Sequence, residues 1–124
     1  MAVRTEVAVR LPNSPGALAS AFDRLADARI AIEAWHMGGD AAFRLVCDNP
    51  LLAVDVLGGP QSASLRDVMT TVVATRDLPR FLRRLASLGA NVEYAYTGAN
   101  EGPASIYLVI GVADAARTAI QLGI

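Results

Sequence analysis

The chain carries one segment twice. Asn13-Ser14-Pro15-Gly16-Ala17-Leu18, running on to Ile30-Ala31-Ile32-Glu33, is echoed without a gap sixty positions later. Under that offset Leu18 falls on Leu78, Leu25 on Leu85, Ala26 on Ala86, Ile32 on Val92 and Glu33 on Glu93. Each copy reads strand–turn–helix–strand, and a repeat of this length implies two similar small units sharing one core. The places to look for function are then the turn at each helix start and the surface between the copies.

The alternation of Val3, Thr5, Val7, Val9 and Leu11 against Arg4, Glu6, Ala8 and Arg10 predicts a first strand with one buried face. Pro12 ends it. Ser14 reads as an N-cap with Pro15 at the first helical position, where a missing N–H costs nothing. Leu18, Ala21, Phe22 and Leu25 then form the apolar stripe of a helix ending near Ala28. A strand over Ile30 to Trp35 follows. Gly38-Gly39-Asp40 supplies positive-φ residues for a tight connection to a strand over Ala42 to Cys47, with Phe43, Leu45 and Cys47 on one face. Asp48 or Asn49 caps a second helix from Pro50, with Leu51, Val54 and Leu57 as its buried stripe, and Gly58-Gly59-Pro60 stops it.

The second copy opens with a strand over Leu65 to Ala74. Thr75 or Asp77 caps a helix through Leu88 bearing Leu78, Leu82 and Leu85, and Gly89 ends it. Val92 to Tyr96, a loop from Thr97 to Pro103, Ser105–Ile110 and a helix from Asp114 to about Leu122 complete the order. The expected fold class is α+β. Two ferredoxin-like (βαββαβ) units, residues 1–63 and 64–124, carry antiparallel sheets with the helices on one face, and the second lacks a full final strand. Uncovered sheet edges lead us to expect pairing between copies, and a homodimer.

Composition removes several function classes. A net charge of −1 gives no pull toward nucleic acid or an anionic membrane. All 11 basic residues are Arg, so lysine nucleophiles and Schiff bases are excluded. The single cysteine, Cys47, allows neither an internal disulfide nor a cysteine metal cage. His36, the one histidine, has no Asp/Glu/His cluster around it at ligand spacing, so no metal or other cofactor is expected. No apolar run approaches the roughly 18 residues of a membrane span. The N-terminus is unlike a signal peptide, and a cytoplasmic location is the expectation.

The run Asn13-x-Pro15-Gly16-x-Leu18, the helix with Phe22 and Leu25, and then Ile30-x-Ile32-Glu33 resembles an ACT domain, and the doubled length resembles small standalone tandem-ACT proteins. What that resemblance implies is a non-catalytic regulatory protein. It would bind an amino acid or related metabolite where two domains meet, with the strand–helix loop at the ligand's charged groups, and would act on a partner enzyme or an assembly. The loop residues Asn13, Ser14, Pro15, Gly16, Ala17 and Leu18 are the candidate ligand site. A helix start presents unpaired N–H groups suited to a carboxylate, and Gly16 lets a ligand approach the backbone.

The gapless alignment puts Thr75 and Arg76 opposite Pro15 and Gly16, with Asp77 next, so the second copy departs from the pattern. Two other readings stand beside the sensor: an interaction module that has lost its ligand site, and a small ferredoxin-like enzyme, for which no polar constellation can be assembled. Tyr94, Tyr96 and Tyr107 suggest an RNA-binding platform only if a basic surface surrounds them. With Glu93 among them and a negative net charge, packing or interface use is the expected role. Arg80 and Arg84, one helical turn apart, read as solvated helix surface.

Overall fold

The computed structural model describes residues 3–99 and 102–124; residues 100 and 101 of the expected Thr97–Pro103 loop lie outside the described residues. The chain divides into two compact units. One is Thr5–Arg66; the other holds Asp67–Ile124 and, from the start of the chain, Val3 and Arg4. The fold is α+β, with four α-helices and antiparallel strands among the described residues.

In the first unit β1 (Val3–Arg10) and β2 (Ile32–Met37) each pair antiparallel with β3 (Ala42–Cys47), which lies between them. The register sets Val7 opposite Leu45 and Val9 opposite Phe43. Those four side chains and Cys47 face α1 (Ala17–Asp27) and α2 (Pro50–Val56), where Ala21, Leu25, Ala53, Val54 and Leu57 close the core. Period-2 and period-3.6 patterns thus meet on one apolar surface, and each large side chain fully buried there stabilises the fold by roughly 1.5–3 kcal/mol. Leu51, expected in the buried stripe of α2, is instead 69% exposed, and Ala53 takes the buried position. Asn49, not Asp48, caps α2, accepting from the Leu52 N–H at 3.2 Å. Asp48 accepts from the Ala31 N–H at 3.0 Å.

The second unit repeats the plan. β4 (Ala63–Ala74) and β5 (Tyr94–Gly98) flank β6 (Ser105–Gly111), with α3 (Leu78–Ser87) and α4 (Ala115–Leu122). Met69, Leu85, Leu108, Ile110, Ala115, Ala119 and Leu122 form its core. Phe81 packs against that core, while Leu82, expected in the stripe, is 41% exposed. Strand β4 starts two residues before the expected Leu65, and β5 starts two residues after the expected Val92. Glu93 precedes β5, its N–H donating to the Gly111 carbonyl at 2.9 Å.

The two units are related by a shifting offset. At the helices the correspondence is sixty: Leu25 and Leu85 are both buried and both accept the N–H five residues on, from Ile30 and Ala90, at 3.1 Å. Arg29 and Gly89 both take positive φ at the helix ends. At the first strands it is sixty-four: Arg10 opposes Ala42 as Ala74 opposes Ser105, and Leu11 donates to Ala41 as Thr75 donates to Ala104. The gapless alignment of Thr75 and Arg76 on Pro15 and Gly16 is therefore overturned. Between strand and helix the second unit is four residues shorter, so most of the Asn13–Gly16 loop has no counterpart there.

Candidate functional site

The local chemistry of Ser14-Pro15-Gly16-Ala17 differs from a simple N-cap. The Ala17 N–H donates to the Ser14 carbonyl at 3.3 Å, and Gly16 sits at φ 83° and ψ −3°. That is a type II turn, with Pro15 at the position whose φ it pre-sets and glycine where positive φ is required. Gly16, not Ser14, is the N-cap of α1, and no side chain caps the helix. A Cβ added to Gly16 would meet nothing within 4 Å, so backbone conformation, not space, is what demands glycine there.

The β2–β3 hairpin comes up beside this loop. Its Gly38 N–H donates to the Ala42 carbonyl at 3.0 Å and its Ala41 N–H donates to the Gly38 carbonyl at 3.1 Å, a three-residue connection. The left-handed residue that such a connection needs is Ala41, at φ 65°; neither Gly38 nor Gly39 takes positive φ, against the sequence expectation. Gly38 serves a different end. The Asp40 carboxylate folds back over it, 2.6 Å from where a Cβ would stand, to accept from the Ala42 N–H at 3.1 Å. The hairpin is tied to the end of β1 by two bonds, Leu11 N–H to the Ala41 carbonyl at 3.0 Å and Arg10 Nη1 to the Asp40 carbonyl at 2.6 Å.

Together the loop and hairpin enclose a cleft of about 710 Å³. Asn13, Ser14, Gly16, Ala17 and Leu18 all line it, and of the six expected residues only Pro15 is outside its wall. Arg10 and Asp40 add opposite charges at the rim, and Leu18 and Met37 add apolar surface. The Ala42 N–H, and at longer range the Arg44 and Arg10 guanidiniums, hold the Asp40 carboxyl below the usual aspartate range. The cleft therefore keeps a carboxylate at neutral pH. The opening turn of α1, whose early N–H groups have no helical acceptor, contains no acidic residue and suits an anionic group. Chemically the cleft matches a small zwitterion: anion acceptor sites at the helix start and Arg10, a cation site at Asp40, and an apolar flank.

Arg10 and Asp40 were not singled out from the sequence. Their signal was present in the strand pattern: Arg10 is the last residue on the polar face of β1, and antiparallel pairing with β3 necessarily brings the Gly-Gly-Asp hairpin beside it.

In the second unit the corresponding place is lined by Ala74, Thr75, Arg76 and Ala104. Thr75 spends its N–H on the Ala104 carbonyl at 2.9 Å and its hydroxyl on the Pro103 carbonyl at 3.1 Å. Ala74 and Pro103 stand where the first unit has Arg10 and Asp40, so the charge pair is missing along with the loop. Residues Thr75–Asp77 form a 3-10 turn leading into α3, and Asp77 makes no side-chain cap.

The remaining candidates lie outside the lining of the first unit's cleft. Trp35 is 44% exposed and meets Phe22 edge-on, ring centroids 5.0 Å apart. His36 is exposed, Cys47 is buried and in no disulfide, and no group of three potential metal-ligating residues occurs among the described residues. Tyr94 and Tyr96 stack at 6.4 Å, with the Tyr94 ring laid over Gly111, where an added Cβ would stand 2.5 Å from it. Arg80 faces Asp77 at 3.9 Å on the exposed start of α3. No helix among the described residues is long and apolar enough to cross a membrane.

No family model matches the chain, and no curated protein matches it either. Solved structures do. A Bacteroides thetaiotaomicron protein, BT0572, superposes with a TM-score of 0.78 at 21% identity, covering 98% of this chain and 89% of its own. The ligand-free regulatory subunit of aspartate kinase from Thermus thermophilus gives 0.66 at 23% identity, covering 98% and 92%. The corresponding Thermus flavus subunit gives 0.61 at 21%, covering 100% and 94%. At these identities the likeness establishes the fold, over essentially the whole chain. The chain has the fold of those aspartate kinase regulatory subunits.

Proposed function

We propose that this protein is a non-catalytic regulatory sensor that binds an α-amino acid or a closely related small metabolite in the cleft between the Asn13–Leu18 loop and the β2–β3 hairpin. The observation that carries the reading is the cleft itself. A helix start free of acidic residues, the Arg10 guanidinium and the Asp40 carboxylate converge on about 710 Å³, enough for a small zwitterion. Asn13 supplies both a donor and an acceptor, and Leu18 and Met37 receive an apolar side chain. Likeness to the regulatory subunits of aspartate kinase supports a regulatory rather than catalytic role. The organisation behind this reading is two ferredoxin-like repeats, residues 1–63 and 64–124, the second without a full final strand. It works in the cytoplasm as a homodimer whose ligand biases the assembly or a partner enzyme. Such a ligand acts only to the extent that it binds one state better than another.

A second reading, an interaction module without ligand, is favoured by one observation: the second unit's cleft has lost both loop and charges. A thermal-shift panel of the common amino acids separates the two. A ligand that binds only the native state at a hundred times its Kd adds about 2.7 kcal/mol and raises Tm. A raised Tm with one chemical group of amino acids, abolished by Asn13→Ala or Gly16→Val, supports the sensor. A flat response across the panel, with stable capture of a protein partner, sinks it in favour of the module.

A further inference from the structure

Behind Arg10, on the face of the first unit's strands turned away from α1 and α2, lies a second cleft of about 390 Å³. We propose that it binds a phosphate-type oxyanion between Arg10, Arg44 and the Ser62 and Ser64 hydroxyls. The register places the two arginines together: Arg10 opposes Ala42 on β3 and Arg44 opposes Ala8 on β1, so they lie diagonally across one strand pair on one face. The opposite wall is the segment from Gln61 to Ser64, which follows the turn through Gly58 and Gly59, both at positive φ. Of the polar side chains lining the cleft, Arg10, Arg44, Gln61, Ser62 and Ser64 all carry hydrogen-bond donors, and Asp40 alone is acceptor-only.

Asp40 does not fill the role of the ligand. Its carboxylate is drawn back onto the Ala42 N–H at 3.1 Å, and it is the Asp40 backbone carbonyl, not the carboxylate, that takes the Arg10 Nη1 donor at 2.6 Å. Arg10 thus commits one of its five N–H donors there. Arg44 is positioned from below by buried Glu6, whose Oε1 lies 4.0 Å from its Nε. The two carboxylates balance the two cations, so the cleft has little long-range field, and recognition rests on short charge-assisted bonds.

The arrangement of donors selects the anion. A carboxylate presents two coplanar oxygens and is satisfied by one guanidinium fork. Here guanidiniums from two strands face hydroxyls and an amide from the Gln61–Ser64 segment, which surrounds a tetrahedral anion with donors on every side. This site shares Arg10 with the amino-acid reading but lies on the other side of that residue and uses none of Asn13 to Leu18. The second unit has no equivalent, since Ala74 and Tyr107 stand where the first unit has Arg10 and Arg44, and no arginine lies on β4 or β6 between Asp67 and Gly111.

The test is an NMR titration of the full chain with inorganic phosphate and pyrophosphate, with sodium chloride at matched ionic strength and succinate as the other arms. We expect saturable amide shifts at Ala42, Ser62 and Ser64 with the phosphates. The Ser62→Asp/Ser64→Asp double variant should weaken binding by roughly tenfold or more. The Ser62→Ala/Ser64→Ala variant, which keeps the fold free of added charge, should weaken it several-fold, and Asn13→Ala should leave it unchanged. Shifts reproduced by chloride, succinate binding as tightly as phosphate, or phosphate binding indifferent to both serine variants would each overturn the proposal. Phosphate binding in a protein with no amino-acid response leaves this site standing and removes the other.

Discussion

Arg84 Nη2 donates to the Leu122 carbonyl at 3.1 Å, binding α3 to the C-terminal end of α4. Sixty residues earlier Arg24 Nη1 does the same for α2, donating to the Val56 carbonyl at 3.3 Å. Each arginine meets carbonyls that have no helical donor, at the negative end of a short helix. The charged pattern on α3 is therefore not all solvated surface: its repeated member is a strut between the two helices of a unit. The Arg84 contact is shorter and partly buried. Arg84→Ala should cost about 1–2 kcal/mol in urea unfolding and Arg24→Ala less than about 1 kcal/mol. Equal losses, or none at Arg84, would mean that the struts contribute nothing beyond surface charge.

The two left-handed residues of the first cleft predict opposite signs. Gly16→Ala places a Cβ on a backbone at φ 83° and should destabilise by about 1 kcal/mol, although space around it is open. Ala41 already pays that strain at φ 65°, so Ala41→Gly should be neutral or stabilising by up to about 1 kcal/mol. Denaturant midpoints at constant m-value decide both, and a destabilised Ala41→Gly would show that the Ala41 methyl packs usefully in the cleft.

What the sequence revealed and concealed follows from how each feature is encoded. Helix stripes survive in Leu25/Leu85 and Ala21 because burial on a sheet demands an apolar side chain at fixed spacing. The doubled segment was legible for that reason. The loop was misaligned because the helices keep a constant offset, while the strand before them slides by four residues. Only backbone pairing, Arg10 to Ala42 and Ala74 to Ser105, reveals that slip. Leu51 and Leu82 read as buried in the sequence but are exposed, because a leucine at helical spacing looks the same on either flank of a stripe. Asn13 to Leu18 could be named from turn chemistry. Arg10 and Asp40 could not, because the hydrogen bond that joins them spans thirty residues of sequence.

Asp40 should leave a mark on acid stability. Its folded pKa lies below its ordinary value because the ionised form accepts the Ala42 N–H. The associated stability is present above the ordinary aspartate pKa of about 3.9 and is lost as pH falls through the lowered folded value. Asp40→Asn keeps an acceptor for Ala42 and removes the titration. Its urea midpoint should fall less than the wild type's between neutral pH and pH values below that of an ordinary aspartate. An identical drop would show that the Ala42 bond does not discriminate between the two protonation states.

Tyr94 and Gly111 are paired across β5 and β6, and glycine is needed for the ring to lie flat on the strand. Gly111→Ala should displace the Tyr94 ring and cost about 1–3 kcal/mol. In a Tyr94→Ala background the same substitution should cost markedly less, giving a coupling of at least about 0.5 kcal/mol. Additive losses would place the glycine requirement in the backbone instead of in this ring.

The asymmetry between the units predicts a single kind of responsive site per chain. Arg76→Ala and Thr75→Val alter the second unit's strand–helix junction, which has neither the loop nor the charge pair of the first. Both variants should keep the full Tm response to an activating amino acid, even where Thr75→Val lowers the starting Tm through loss of its bond to Pro103, worth about 1 kcal/mol. Arg10→Gln should instead weaken the response by roughly tenfold or more in Kd, the effect of removing one charge-assisted contact to a carboxylate. If Arg76→Ala abolished the response while Arg10→Gln preserved it, the ligand would belong to the second unit, and the loop that opens α1 would be a helix start and nothing more.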